Sequence, residues 1–474
     1  MNDAVHSEIC DASASELARR LRSGELSARE VVTAHLERIE RLDPRINAIV
    51  TSVGERALSE AAAADERLAH GEAIGPLHGL PVAHKDTHNT AGIRTTHGSP
   101  ILAEYVPVHD DISIERMRAA GAITLGKTNV PEFGAGSHTF NPLFGATRNP
   151  YDRTRSAGGS SGGAGAALAA GLIPIADGSD MGGSIRNPAS FCNVVGLRPS
   201  PGRVPLWPNM TAWGTQVVQG PMARTVSDVA LLLSVMAGPD ARCPISIAED
   251  PAVFAGPLAA DPRGLKVAWS PDFGGALPVE AEVCATVASA ARVFADLGCV
   301  VAQDCPDFSG ADEVFRVLRG WQMATSLSAA LAEQPDRIKP TLAANIEYGR
   351  GLTGADLGRA EFLHAEIFHR MREFFRRYDI LLLPTSQLPP FPVDIEYPET
   401  VAGQPMHDYL EWMRSAYYIS VTGCPALNVP AGFTTGGLPI GVQLVGPYRR
   451  EMSVLRVGYA FEQASRCGDR RPVW

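Results

Sequence analysis

Two rhythms of apolar residues run along the chain. In the N-terminal part the rhythm is helical. Leu17 and Leu21, then Val31, Val32, His35, Leu36 and Ile39, recur at helical spacing and predict helices over about 14–22 and 28–42. Each opens on an S-x-x-E sequence, Ser13 to Glu16 and Ser27 to Glu30, the form of a capping box. An alanine-rich stretch predicts a third helix over about 55–69. From Gly79 onward, short apolar runs alternate with helical patterns. Gly79 to Asp86 is the first segment that reads as a strand. A helix at 111–120 leads to a strand at 122–125, one at 163–170 to 172–177, and one at 226–237 to 265–269. Helices at 278–297 and 354–377 lead to strands at 299–303 and 379–383. Strands near 426–430 and 438–445 and a helix over 451–465 follow.

Helices between short apolar strands predict an α/β fold with a central twisted, mostly mixed β-sheet covered by helices on both faces. No repeat or linker divides the chain, so one large domain, 1–474, is expected. Within it, N-terminal helices occupy 10–70, a core about 75–240, and a C-terminal part about 265–467 completes the sheet. Proline-rich stretches at about 238–263 and 384–406 predict long surface loops or lids.

Composition narrows the function classes. A hydrophobic content of 45% with 20% charged residues describes a soluble chain with ample core. The net charge of −10 argues against nucleic acid or an anionic membrane as the main partner. The eight cysteines show neither a C-x-x-C pair nor metal-like spacing, so reduced thiols in a cytoplasmic protein are expected, with no metal. No signal peptide and no 18-residue apolar run is visible.

The chemistry concentrates in Ala157 to Pro188, AGGSSGGAGAALAAGLIPIADGSDMGGSIRNP. It holds two glycine-flanked serine turns, around Ser160–Ser161 and at Ser184. The pattern reads as loop, helix, strand, loop, so one helix and one strand return the two turns to the same place. Consecutive N–H groups in the Met181-Gly182-Gly183-Ser184 turn form a nest suited to a developing oxyanion, and a serine at its end is a candidate nucleophile. A tight turn before a helix starting near Ile185 explains the same residues without chemistry. Lys85, at the exit of the first strand, is one of four lysines in a chain that otherwise uses arginine. A buried lysine can lose its proton, whereas arginine cannot at neutral pH. Taken alone, Lys85 reads more simply as a surface lysine or an ion pair with Asp86.

Together these residues resemble the amidase signature family. AGGSSGGAGAALAAG and GSDMGGSIRNPASFCNVVGLRPSPGRVP match its signature, and GLPVAHKD, LGKTNVPEF, NPLFGATRNP, GPMARTVSDVALLL and TGCPALNVPAGFTTGGLPIGVQLVG match its surroundings. The likeness spans about 10–467. It implies the amidase signature fold and a catalytic triad of Lys85, Ser160 and Ser184, with Ser160 as the bridging serine after a cis peptide bond. It implies an oxyanion hole at Met181, Gly182, Gly183 and Ser184, with Gly134 beside the substrate. Ser161, Asp180 and Arg186 are expected to support the site. No cofactor is implied.

The implied reaction is hydrolysis of linear carboxylic amides, of a small neutral acyl amide, to acid plus ammonia or amine through a seryl acyl-enzyme. A lysine of ordinary pKa would be only about 0.04% neutral at pH 7, so burial must lower the Lys85 pKa or activity must rise into alkaline pH. The partner is a small-molecule substrate, and a homodimer is compatible with it. Two alternatives stand: a glutaminase-type subunit of a tRNA-dependent amidotransferase, and an α/β-hydrolase-like esterase using Ser160. The first carries an arginine and an acidic residue for free glutamine, and ungapped matching places Asn345 and Met413 there, with Arg350 and Glu411 close by. The second needs a strand directly before the serine and a late histidine, for which His364, His369 and His407 have no evident setting. His84 stands where the family commonly has an apolar residue and forms an H-x-x-x-H spacing with His88, read as a polar residue near the cleft rather than a metal site. The segment 409–418, with Trp207 and Trp213, reads either as the lining of an aromatic pocket or as core packing.

Overall fold

The alternation of strand and helix closes into one sheet that runs through the whole chain. The structure, a computed structural model, describes residues 3–474. Its eleven main strands are β1 (Ile49–Ser52), β2 (Pro81–Lys85), β3 (Ile123–Thr128), β4 (Ile175–Asp180), β5 (Val195–Arg198) and β6 (Val218–Ala223), then β7 (Lys266–Trp269), β8 (Val300–Gln303), β9 (Ile380–Pro384), β10 (Ala426–Phe433) and β11 (Pro439–Val445). Their order is β1-β3-β2-β4-β6-β5-β10-β11-β9-β7-β8. The sheet is mixed. The pairs β3–β2, β2–β4, β9–β7 and β7–β8 are parallel, and the others are antiparallel. The central pairing of β5 with β10 joins the two halves of the chain without a break.

Side-chain alternation explains the layers. Val267, Leu382, Leu427 and Leu444 point into one core, which Phe294 and Phe461 of the helices Ala281–Asp296 and Glu451–Ser465 complete. Their strand neighbours Ala268, Leu381, Leu383 and Val445 point into a second core with Phe315 and Ile367 from the helices Ala311–Glu333 and Gly354–Phe374. A period of two in each strand thus buries both faces. The predicted N-terminal helices form as Ala14–Arg22 and Ala28–Leu42. Ser27 and Glu30 make a complete capping box. Ser13 caps Glu16, but the Glu16 carboxylate turns to Arg19 instead.

The helix Gly162–Ala169 is wholly buried and packs on β2, β3 and β4. Its glycines are the reason it fits. A Cβ on Gly163 would lie 2.3 Å from the Asn129 nitrogen and 2.6 Å from the Ala48 carbonyl oxygen.

Three sequence expectations need correction. The strand expected at 172–177 is β4, three residues later, because Leu172 and Ile173 plug the core while Asp177, Ser179 and Asp180 take the strand. β1, β5 and β6 were not expected, and β6 carries Gly220 and Pro221, residues that ordinarily argue against a central strand. The helices Ala311–Glu333 and Pro340–Arg350 fill a region without an expected element.

Candidate active site

The site is assembled where β2 and β4 end side by side. They run parallel, with Val82 beside Ile175 and Ala83 beside Ala176, so both deliver their last residues to one edge of the sheet. Ligands of open α/β sheets bind at such carboxyl-terminal edges. Lys85 ends β2 and is fully buried. Its Nζ lies 2.7 Å from Ser160 Oγ, 3.0 Å from Ser179 Oγ and 3.3 Å from the Ser179 carbonyl oxygen. Its partners are therefore hydroxyls and a carbonyl, and the expected surface pairing with Asp86 does not form. Burial pulls the Lys85 pKa down to about 7, against the opposing attraction of Asp180 and Asp177.

Ser160 follows a cis Gly159–Ser160 peptide bond. The helix Gly162–Ala169 leads away from it, β4 returns, and the next loop presents Ser184. The Ser161 N–H donates to the Ser184 carbonyl at 3.0 Å and ties the two serine turns together. Ser160, Ser184, Ser179, Met181 and Gly134 line one cavity of about 240 Å³. A Cβ on Gly134 would lie 3.5 Å from Ser160 Oγ, so this backbone runs beside the reacting hydroxyls. The direct hydrogen bond is Lys85 to Ser160. Among the described residues none joins Ser160 to Ser184, whose hydroxyl is free of protein partners.

Asp180 organises the loop that carries Ser184. Its carboxylate accepts the N–H groups of Gly183 at 2.9 Å and Ile185 at 3.2 Å, and bonds Arg186 at 3.0 and 3.1 Å. Arg198 reaches the same carboxylate at 3.3 Å. Burial would raise the Asp180 pKa, but the two guanidinium groups hold it well below the usual carboxylate range. Arg186 also bonds the Ala416 carbonyl, Ser420 and Gln443, anchoring the loop to the C-terminal half. The Gly183 N–H is thus committed to Asp180. Those of Met181, Gly182 and Ser184 have no protein acceptor among the described residues. Gly183 itself has φ +104°, and a Cβ there would meet Ala416 Cβ at 2.4 Å. Asp180→Asn leaves two buried guanidinium groups under-compensated, and a loss of about 3–5 kcal/mol in unfolding free energy is expected by denaturant titration.

A second buried carboxylate braces β2. Asp177 accepts His84 Nδ1–H at 2.5 Å, His88 Nδ1–H at 2.6 Å and the Lys85 backbone N–H at 3.0 Å. These donors keep it ionised, well below the usual range, against the cost of burial. Burial lowers the His84 pKa against the attraction of Asp177, and Nε2 lies 3.1 Å from Thr124 Oγ1. The H-x-x-x-H pair thus shares a carboxylate. Among the described residues, no group of three His, Cys, Asp or Glu side chains is placed to hold a metal ion.

Of the aromatic residues singled out in the sequence, Trp207 lines the cavity and Trp213 is 77% exposed elsewhere. The segment 409–418 stands behind the wall: Tyr417 stacks on Phe315 with centroids 4.1 Å apart, and Tyr409 OH accepts from Arg319 at 2.8 Å. The proline-rich stretches do not line the cavity, whereas 206–209 does. Sequence reasoning missed Arg319, Asp111 and Gln219 in the lining. Arg319 lies within a long helix and Asp111 precedes one, so both carry an ordinary helical signal.

The profile of the amidase family matches residues 30–455. The chain belongs to the amidase signature family. An acylamidase of Rhodococcus erythropolis is 36% identical over 466 residues, covering 97% of each chain. A glutamyl-tRNA(Gln) amidotransferase subunit of Synechococcus sp. (strain CC9605) is 37% identical over 495 residues, covering 98% of each. The crystal structure of a bacterial aryl acylamidase of the amidase signature family superposes with a TM-score of 0.90 at 31% identity, covering 98% of this chain and 99% of the other. Family and fold together make this chain an amide-hydrolysing enzyme. Among the described residues no helix is long and apolar enough to cross a membrane.

Proposed function

We propose that the enzyme cleaves linear carboxylic amides through an acyl-enzyme on Ser184, with Ser160 and Lys85 as its proton relay. The observation that carries this reading is the 2.7 Å contact between a buried amine and Ser160 Oγ, beside a serine in a glycine turn. Neutral Lys85 takes a proton from Ser160 as Ser160 takes one from Ser184. Ser184 Oγ bonds to the amide carbon, and the carbonyl electron pair moves to oxygen. The uncommitted N–H groups of Met181, Gly182 and Ser184 are the donors for that oxyanion, while Gly183 holds the turn through Asp180. Lys85 returns its proton through Ser160 to the leaving nitrogen as the C–N bond breaks. Water then attacks the ester, and the same relay runs again.

Ser160 meets an amine rather than an imidazole, which favours this route over a serine–histidine esterase. The position matched to the amidotransferase arginine is Asn345, whose Oδ1 accepts from Arg319 at 3.2 Å and Tyr409 at 2.9 Å, and Met413 is buried. Hydrolysis by the chain acting alone is therefore the favoured reading. A serine-directed fluorophosphonate is expected to label Ser184 and no other residue, as read by peptide mass spectrometry. The purified chain is expected to release ammonia from simple amides without a partner or tRNA. Label on Ser160 instead, or ammonia release only in the presence of a partner, would replace this reading.

A further inference from the structure

The cavity lined by Ser160 and Ser184 is also lined by acceptors. Asp111 is the N-cap of the helix Ile112–Ala119, yet its carboxylate makes no capping bond to that helix. An N-cap aspartate normally takes the N–H of the second or third helical residue. Here Oδ1 accepts the Asn89 N–H at 3.2 Å and Oδ2 accepts Gln219 Nε2–H at 2.8 Å. Gln219 is oriented in turn by Ser113, which donates to Oε1 at 2.7 Å. The Asp111 side chain is thus aimed at the cavity it lines, and it is 8% exposed. No cationic side chain bonds it among the described residues. Nearby Lys127 is spent on the His88 carbonyl, Thr90 and Thr95, and Arg118 on Asp110. Buried carboxylates are ordinarily paired with a cation.

His88 supplies the second observation. Its ring is 2% exposed and lines the same cavity. Nδ1–H is held by Asp177 at 2.6 Å, which leaves Nε2 as the ring's remaining polar atom. That atom is buried and has no partner among the described residues. A carboxylate with no bonded cation and an imidazole nitrogen with no partner among the described residues therefore line one cavity of about 240 Å³. Arg319 lines this cavity too, but its guanidinium is bonded to Asn345, Tyr409 and Met181 Sδ.

We propose that Asp111 and His88 form an ammonium-binding subsite, so that the preferred substrates are small amides carrying a protonated amino group. An ammonium supplies the missing charge for Asp111 and an N–H for His88 Nε2. Burial pushes the Asp111 carboxyl up to about 6, against the opposing pull of His88, Gln219 and Lys127. The inference deepens the amidase reading above and rests on it for the substrate class. It departs from the neutral acyl amide that the family resemblance suggests.

The test separates recognition from chemistry by using the Ser184→Ala enzyme, in which binding is read without turnover. Titration calorimetry compares glycinamide at pH 7 with propionamide, which has a methyl in place of the ammonium. Glycinamide is expected to bind at least about tenfold more tightly, the ratio that 1.4 kcal/mol provides. Adding Asp111→Asn is expected to erase that ratio, and His88→Gln to reduce it. With Ser184 intact, kcat/KM for the pair is expected to show the same preference, lost through KM in Asp111→Asn. Thermal unfolding confirms that each variant is folded, and where one is not, the wild-type pair alone decides. Equal affinity for the two amides, or a preference that survives Asp111→Asn, would overturn the subsite. Turnover by the Ser184→Ala enzyme would overturn the acyl-enzyme route and leave the subsite standing.

Discussion

Replacing Ser184 with alanine is expected to lower kcat for amide hydrolysis by about 10⁴-fold or more, the scale on which loss of a nucleophile acts in serine hydrolases. The expectation is sharp because the substitution should cost little else. The Ser184 hydroxyl has no protein partner among the described residues, and its backbone is held directly by Ser161 and, through the residues beside it, by Asn187 and Asp180. Unfolding free energy should therefore stay within about 0.5 kcal/mol of the parent. Active-site titration by a burst of the first product checks the acyl-enzyme, and the variant should show none. Near-normal turnover in a folded Ser184→Ala protein would move the nucleophile elsewhere.

The second large effect concerns Lys85. With its pKa drawn down to about 7 by burial, the amine is protonated below that pH and neutral above it. Only the neutral form accepts a proton, so kcat/KM of the parent should rise with pH through about 7 and then level off. Lys85→Ala removes the base and should cost about 10²–10⁴-fold at neutral pH. Its residual rate should climb with hydroxide concentration and show no plateau. Lys85→Arg discriminates further, because a guanidinium keeps the charge but does not give up its proton. It should be as impaired as alanine. A plateau near pH 7 that persists in either variant would assign that titration to another group.

Much of this was legible in the order of residues. The serine turns, the lysine at a strand exit and the glycine nest each have a plain structural reading alone, and it is their joint resemblance to the amidase signature that points to chemistry. Capping at Ser27 and the apolar rhythm of Ala28–Leu42 were legible because local geometry alone decides them. The parts that were not legible share a cause. β4 carries Ser179 and Asp180 beyond the apolar run, where hydrophobicity ends the strand; burial of Asp177 is offset by His84 and His88 far back along the chain, and that of Asp180 by Arg186 and Arg198 in the segments that follow. β6 keeps Pro221 inside a central strand, where only the surrounding sheet makes it tolerable. The partner of Gly183 was equally hidden, since its N–H bonds a carboxylate three residues earlier.

By itself, then, the sequence determined the class of fold, the kind of bond attacked and the three residues proposed as the relay. The fold class follows from the alternation of strand and helix, and the bond and the relay from the resemblance to the amidase signature family. The tertiary structure alone decided that Lys85 is fully buried against hydroxyls, that Asp177 and Asp180 keep their charge in place, and that Asp111 and His88 line the same cavity. Each of these is a question of which groups are denied water and which partners reach them, and that is settled only when distant segments meet.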